Sequence, residues 1–346
     1  MKPHTKLIST LSLILGTIIT ISSSHWVMAW VGLELNTLAI IPLISKSHHP
    51  RAIEATIKYF LVQATASTIL LFSSTVNAWT TGQWDVAQLT HPTSSLLLTV
   101  AIAMKLGLVP FHFWFPEVLQ GSSLTIALLL STAMKFPPTT LLLLTSHTLN
   151  PTLLTCMAVT SVALGGWMGL NQTQTRKVMA FSSIAHLGWM TAIIIYNPKL
   201  ALLTFYLYTL TTSTVFLTLN STKTLKLTTM MTSWTKSPML NTTLMLIMLS
   251  MAGLPPLTGF LPKWLIIQEL TKQEMTTTAT IIAILSLLGL FFYLRLAYHS
   301  TITLPPNSTN YMKQWHFTKT TSTITALLAA LSTLILPIAP LILTTI

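Results

Sequence analysis

Cysteine is almost missing from this chain: Cys156 is the single one in 346 residues. One thiol cannot close an intrachain disulfide, and it cannot supply an Fe–S cluster or a Cys-rich zinc site. Acid is nearly as scarce, with 6 Asp and Glu against 18 Lys and Arg, and charged residues make up only 7%. A soluble domain carries about 25% and needs them to cover its surface. A soluble enzyme, a disordered chain and a secreted disulfide scaffold are therefore excluded. No G-x-G-x-x-G loop is present to cradle a dinucleotide. Arginine occurs only at Arg51, Arg176 and Arg295, so the net charge of +12 forms no basic stripe for nucleic acid.

What is abundant is apolar length: 51% of residues are hydrophobic. A spanning helix needs about 20 mostly apolar residues. Eleven such runs are read at 7–24, 26–44, 56–79, 96–118, 124–146, 151–170, 177–196, 200–219, 239–268, 277–298 and 321–345. Short polar turns separate them, including Ser47–Pro50, Thr90–Pro92, Asn150–Pro151, Asn197–Pro198 and Pro305–Asn307. The runs are continuous, without the ten-residue alternation of a membrane barrel. The predicted fold class is thus an all-α polytopic membrane protein. The first run follows Lys2 and Lys6 but has no small-residue cleavage site, so it reads as a span and not a signal peptide.

Eleven spans make the loops alternate between two faces. Thirteen cations, from Lys2 and Lys6 through Lys46 and Lys236 to Lys313 and Lys319, fall on the N-terminal face. Lys199 and Lys272 are alone on the other. Positive loops stay on the side of insertion, which places the N-terminus in the cytoplasm or matrix and the C-terminus opposite.

Four charges lie inside the spans: Glu34 in the second, Lys105 in the fourth, Lys135 in the fifth and Lys263 in the ninth. Each costs about 2.5–3.5 kcal/mol at bilayer centre unless it pairs or meets water. One acid cannot neutralise three bases. Lost solvation and a like-charged neighbour favour the neutral amine, while a carboxylate favours the ammonium. Such a set can load and release protons as its neighbours change charge. His112 and His186 add two intramembrane groups that can relay protons or serve as hydrogen-bonded structural histidines. The competing structural reading is a fixed Glu34–Lys105 ion pair with lysines snorkelling to the surface.

Residues 105–119, KLGLVPFHFWFPEVL, repeat in 251–265, MAGLPPLTGFLPKWL, through Gly107/Gly253, Leu108/Leu254, Pro110/Pro256, Pro116/Pro262 and Leu119/Leu265. Glycine and proline dominate, so what repeats is a helix break, tolerable in the membrane only where freed backbone groups meet protein or water. The chain then divides into a five-helix unit at 1–150, a second at 151–300, and a loop with a C-terminal helix at 301–346. Each unit is broken at its fourth helix, spans 4 and 9. An odd unit length makes the two copies inverted, and paired breaks of this kind mark transport sites.

WVGLELNTLAIIP (30–42), KLGLVPFHFWFPEVLQG (105–121), GGWMGLNQTQTRKVMAFSSIAHLGWM (165–190) and GLPPLTGFLPKW (253–264) resemble the antiporter-like membrane subunits of respiratory complex I, in their short animal form. The resemblance covers essentially the whole chain. It implies a proton-translocating core subunit of a translocase, in the mitochondrial inner membrane, with the N-terminus in the matrix and the C-terminus in the intermembrane space. It implies that Glu34 and Lys105 form the family's glutamate–lysine pair, that Lys135 and Lys263 continue the relay, and that His112 and His186 lie on the same polar axis. No metal or cofactor is expected in this chain; NAD, FMN, Fe–S clusters and ubiquinone would belong to other subunits. Partners implied are neighbouring antiporter-like subunits, NADH dehydrogenase subunit 4L and membrane lipid, with no nucleic acid. The alternative functions are a stand-alone cation/proton antiporter and a structural helix bundle with a frozen ion pair.

Overall fold

A computed structural model describes residues 3–45, 49–235, 237–303 and 323–339, and there is no strand among them. Helix is the form that satisfies every backbone group within one segment, as hydrocarbon requires. The many threonines and serines fit because their hydroxyls donate back to their own helix: Thr17 to Ile14 O at 2.8 Å and Ser73 to Leu70 O at 2.7 Å are typical. Prolines sit in first turns, at Pro50, Pro92, Pro198 and Pro238, where the missing N–H costs nothing. The chain divides into two compact units, Met1–Ser161 and Val162–Ile346.

The first unit contains α1 (Pro3–Ser22), α2 (Trp26–Ile44), α3 (Pro50–Thr81), α4 (Pro92–Leu106), α5 (Trp114–Gly121), α6 (Leu124–Ser131) and α7 (Phe136–Leu144). Helix α8 (Pro151–Gly169) begins in it and runs into the second unit. Helices α1 and α2 meet through glycine: a Cβ on Gly16 would lie 2.8 Å from Gly32 O. Such backbone-to-backbone approach is how helices associate where lipid removes the hydrophobic drive. Helix α3 packs against α2, α4 and α5 and buries Tyr59 among them.

The second unit continues with α9 (Thr175–Ile193), α10 (Pro198–Thr222), α11 (Leu227–Met231), α12 (Pro238–Ala252), α13 (Phe260–Lys272), α14 (Thr276–Ala297) and α15 (Thr323–Leu334). Helix α10 holds the place that α3 holds in the first unit, against α9, α12 and α13. In each unit the loop before the second helix bridges the loop after the third, His25 to Asp85 and Gln174 to Lys226.

The broken helices are broken where the repeat predicts. Helix α4 ends at Gly107 with φ +75°, and α5 resumes only at Trp114. Helix α12 ends at Gly253 with φ +84°, and α13 resumes at Phe260. Both glycines take the left-handed conformation that a side chain would strain. The fifth span breaks too, with a 3-10 turn at Ala133–Lys135 just before Pro137–Pro138.

The exact count of eleven spans is not fixed by the described residues. Seven helices among the described residues are long and apolar enough to cross a membrane. Spans 4 and 9 fall into half-helices, and α9 is made polar by Arg176, Lys177, Ser182, Ser183 and His186. Of the eleventh span, the described helix is the 12-residue α15. Lys2, Lys46, His48, Lys236, Lys313 and Lys319, the turn at 305–307 and much of the 301–346 segment lie outside the described residues.

Candidate functional site

In the first unit, Lys105 occupies the last turn of α4, directly before the break, and is 5% exposed. Its Nζ has no hydrogen-bond partner, and neither has the buried Oε2 of Glu34 on α2. The two groups are electrostatic neighbours, yet no ion pair within 4 Å joins them among the described residues. The fixed ion pair of the competing structural reading is thus not among the contacts of the described residues. Asn36, Tyr59 and Gln63 line the space beside Lys105. That space is a cavity of about 20 Å³. Its mostly apolar wall carries polar side chains, and it is large enough for a water molecule, which needs about 10–15 Å³ and two or more partners.

Lys135 lines the same cavity from the opposite helix and is 3% exposed. The 3-10 turn and the prolines after it carry the lysine into the interior, and its ammonium stands 4.5 Å from the Phe115 ring centroid. Carbonyls freed by the α4 break are taken up by side chains: Trp114 Nε1 donates to Met104 O at 3.2 Å and Gln63 Nε2 to Lys105 O at 3.5 Å. His112 is 1% exposed within the break, its imidazole against the Pro110 backbone and its ring 4.2 Å from that of Phe113. It does not line the Lys105 cavity. The structure thus brings together Lys105 and Lys135, places Glu34 nearby, and leaves His112 apart.

In the second unit, Lys263 stands on α13, after the break, and reaches back across it. Its Nζ donates to Ala252 O, the last carbonyl of α12, at 2.7 Å. Two cavities, of about 40 and 20 Å³, share Lys263, His186, Trp189 and Met251. His186 Nε2 and the Tyr293 hydroxyl share a hydrogen bond of 3.1 Å. The Tyr208 ring lies 5.7 Å from the imidazole, and its hydroxyl bonds Ser183 and Thr212. Sequence reasoning missed Asn36, Gln63, Tyr208 and Tyr293. Aromatic and amide residues in an apolar run look like packing, and only the helix-to-helix register shows that they face a lysine.

This arrangement holds titratable groups around small, mostly apolar cavities next to interrupted helices. It can pass protons between amines, imidazole and hydroxyls, and it shows no cluster of three or more His, Cys, Asp or Glu fit for a metal among the described residues.

Residues 23–289 match the family model described as NADH:quinone oxidoreductase/Mrp antiporter, TM, and residues 290–343 match NADH dehydrogenase subunit 2 C-terminus. The chain is 76% identical to NADH-ubiquinone oxidoreductase chain 2 of Struthio camelus over 343 residues, 99% of each chain. It is 74% identical to the protein of that name in Gallus gallus, again over 99% of each. Among solved structures it is similar to a chain of respiratory complex I from Thermus thermophilus, with TM-score 0.83 and 26% identity over 96% of this chain and 79% of that one. The fold is also shared with the Mrp complex from Dietzia sp., with TM-score 0.80 and 16% identity over 97% and 75%.

Proposed function

This chain belongs to the NADH:quinone oxidoreductase/Mrp antiporter membrane family, and from that membership we propose how it works. It is a membrane-embedded, proton-translocating subunit of complex I, the NADH:ubiquinone oxidoreductase. Its reaction is vectorial: no covalent bond of a substrate changes in this chain. Protons pass among Glu34, Lys105 and Lys135 in the first unit and between His186 and Lys263 in the second, through water in the cavities that these residues line. His112 serves the same path from within the first break. The observation that carries the reading is that Lys105 and Lys135, both buried, line one cavity. Two amines so placed repel each other when both are charged, so a proton arriving at one favours release from the other.

Flavin, Fe–S and quinone chemistry belongs, in this reading, to other subunits. Neighbouring antiporter-like subunits and subunit 4L flank the chain, and the repeat consists of 1–150 and 151–300 followed by 301–346. The membrane is the mitochondrial inner membrane, with the N-terminus in the matrix and the C-terminus in the intermembrane space. Protease that cuts the 220–238 loop only from the matrix side supports that orientation, and cleavage from the other side reverses it.

The central test is Lys135→Met in the assembled complex, reconstituted in vesicles. Methionine keeps the stem and removes the titrating group, and it also removes the insertion cost of the charge. Assembly should persist while proton transfer falls. An assembled variant with unchanged rate and unchanged protons per NADH would refute the relay and favour a structural bundle.

A further inference from the structure

The two units repeat more than their breaks. Taking the bridging residue before the second helix as origin, His25 in one unit and Gln174 in the other, the thirty-fourth residue onward is a buried tyrosine in both: Tyr59 and Tyr208. Each sits on the third helix of its unit, the helix that packs against the second helix and both halves of the broken one. Each lines the cavity that holds its unit's lysine, Tyr59 with Lys105 and Tyr208 with Lys263. The ninth residue from the same origins is Glu34 in one unit and Ser183 in the other. Glu34 is an electrostatic neighbour of Tyr59, and Ser183 hydrogen-bonds Tyr208. The same contact between second and third helix is thus made twice, with a hydroxyl ring at its centre each time.

A tyrosine kept only for packing would be served by its ring. The hydroxyls argue otherwise. Burying an unpaired hydroxyl costs about 1–3 kcal/mol, which a phenylalanine would avoid. Tyr59, 2% exposed, lines a cavity with room for a water that can pair its hydroxyl.

We infer that Tyr59 and Tyr208 are equivalent proton-passing hydroxyls, each linking its unit's cavity lysine to the titratable group on the second helix. The inference rests on the relay reading above. A hydroxyl accepts and donates at once, which suits it to the step. A proton leaving the lysine ammonium, directly or through one water, forms a bond to the tyrosine oxygen as the hydroxyl's own O–H bond breaks. The released proton goes to the Glu34 carboxylate in the first unit and to the His186 imidazole in the second. The tyrosine ends neutral, with one proton moved, and the path runs equally in reverse.

The test uses the whole complex with Tyr59→Phe, Tyr208→Phe and, as control, Tyr206→Phe on the outer face of α10, where Tyr206 is 57% exposed. Lys105→Met and Lys263→Met are measured beside them. Assembly, melting temperature, NADH oxidation and protons moved per NADH are recorded. Each buried Tyr→Phe change should leave assembly and melting intact and slow pumping-coupled turnover about a hundredfold, at the modest end of acid–base contributions of about 10²–10⁴-fold. Tyr206→Phe should change nothing. If both tyrosine variants pump normally while the lysine variants fail, the hydroxyl role is overturned and the relay reading stands. If the lysine variants pump normally as well, the relay reading falls first. A defect in only one tyrosine variant overturns the equivalence. Should Tyr208→Phe fail to assemble, Ser183→Ala removes the hydroxyl's partner without touching the ring. It should slow turnover in the same way, and normal turnover there overturns the role of Tyr208.

Discussion

The two units use one scaffold to hold a lysine in opposite ways. In the first, Lys105 precedes the break and its amine meets no protein acceptor. In the second, Lys263 follows the break and its amine caps the carbonyl that the break releases. The glycines that make the breaks take the same left-handed turn, so the difference lies in the side chains and not in the backbone. An amine with no fixed partner depends on water and on other charges, and it responds to both. An amine bonded to a helix-end carbonyl is held in place whichever way its neighbours titrate. The first unit therefore has the more responsive site and the second the more rigid one.

The sharpest way to break this comparison is at the hinges. In the second unit Gly259 lies so close to the Ser250 carbonyl oxygen that an added Cβ would overlap it. Backbone meets backbone there, and neither side can give. Gly259→Ala should exceed the about 1–3 kcal/mol of ordinary overpacking and remove the assembled complex on a native gel. In the first unit, Gly107 has space around it, its nearest neighbour being Phe115 Cβ at 3.5 Å, and only its φ of +75° resists a side chain. Gly107→Ala should cost about 1–2 kcal/mol and still assemble. Equal loss at both glycines would show that the breaks are held alike.

Next in size is a contrast between the lysines themselves. Lys263→Met strands the Ala252 carbonyl, and losing a bond to a charged donor costs about 1.5–3 kcal/mol. Lys105→Met strands nothing, because its amine has no bond to lose. Both should stop pumping, but only Lys263→Met should lower the melting temperature of the assembled complex. Equal melting of the two variants would mean that the Lys263 bond contributes no stability.

How much of this was legible beforehand follows the same division. The breaks at 107–113 and 253–259 were readable because glycine and proline act on the backbone locally, and no other helix needs to be known. The burial of Lys105 and Lys135 was readable from the apolar runs around them. Contacts across helices were not. Residue type allows a fixed Glu34–Lys105 pair, but only the packing shows that Asn36, Tyr59 and Gln63 line the space beside Lys105. Nothing in the spacing of Ala252 and Lys263 shows that an amine returns across the break to cap the helix before it. A run with a central Gly/Pro cluster has the composition of one helix and the backbone of two, which is why spans 4 and 9 read as broken from the sequence.

Smaller, but specific to the first unit, is the response of Lys105 to Glu34. The two lack a direct bond, so Glu34→Gln removes a charge without removing a contact. Assembly should be unaffected while pumping and NADH oxidation slow together, since Lys105 is left without its nearby counter-charge. His186→Gln should give the matching slow phenotype in the second unit. An assembled Glu34→Gln complex with full coupled activity would remove Glu34 from the relay.

The smallest expected effect comes from the position that the repeat sets against Lys263. The register that pairs Gly107 with Gly253 pairs Lys263 with Glu117 on α5. If position alone made the relay, Glu117 would belong to it. The structure gives it another task. Glu117 bonds Lys58 at 2.6 Å, Lys58 also bonds Glu54, and all three side chains are 40–61% exposed. Exposed pairs of this kind are well solvated, are screened by salt and add little to stability. Their effect is to tie α5 to α3 on the outside of the broken helix, where Gly121 already brings the two close through Arg51 and Ala55. Glu117→Gln should therefore leave protons per NADH unchanged and leave melting within experimental scatter at both low and high salt. A fall in the proton ratio, with melting intact, would place Glu117 in the path. It would also mean that position within the repeat, and not burial, decides which charges move protons.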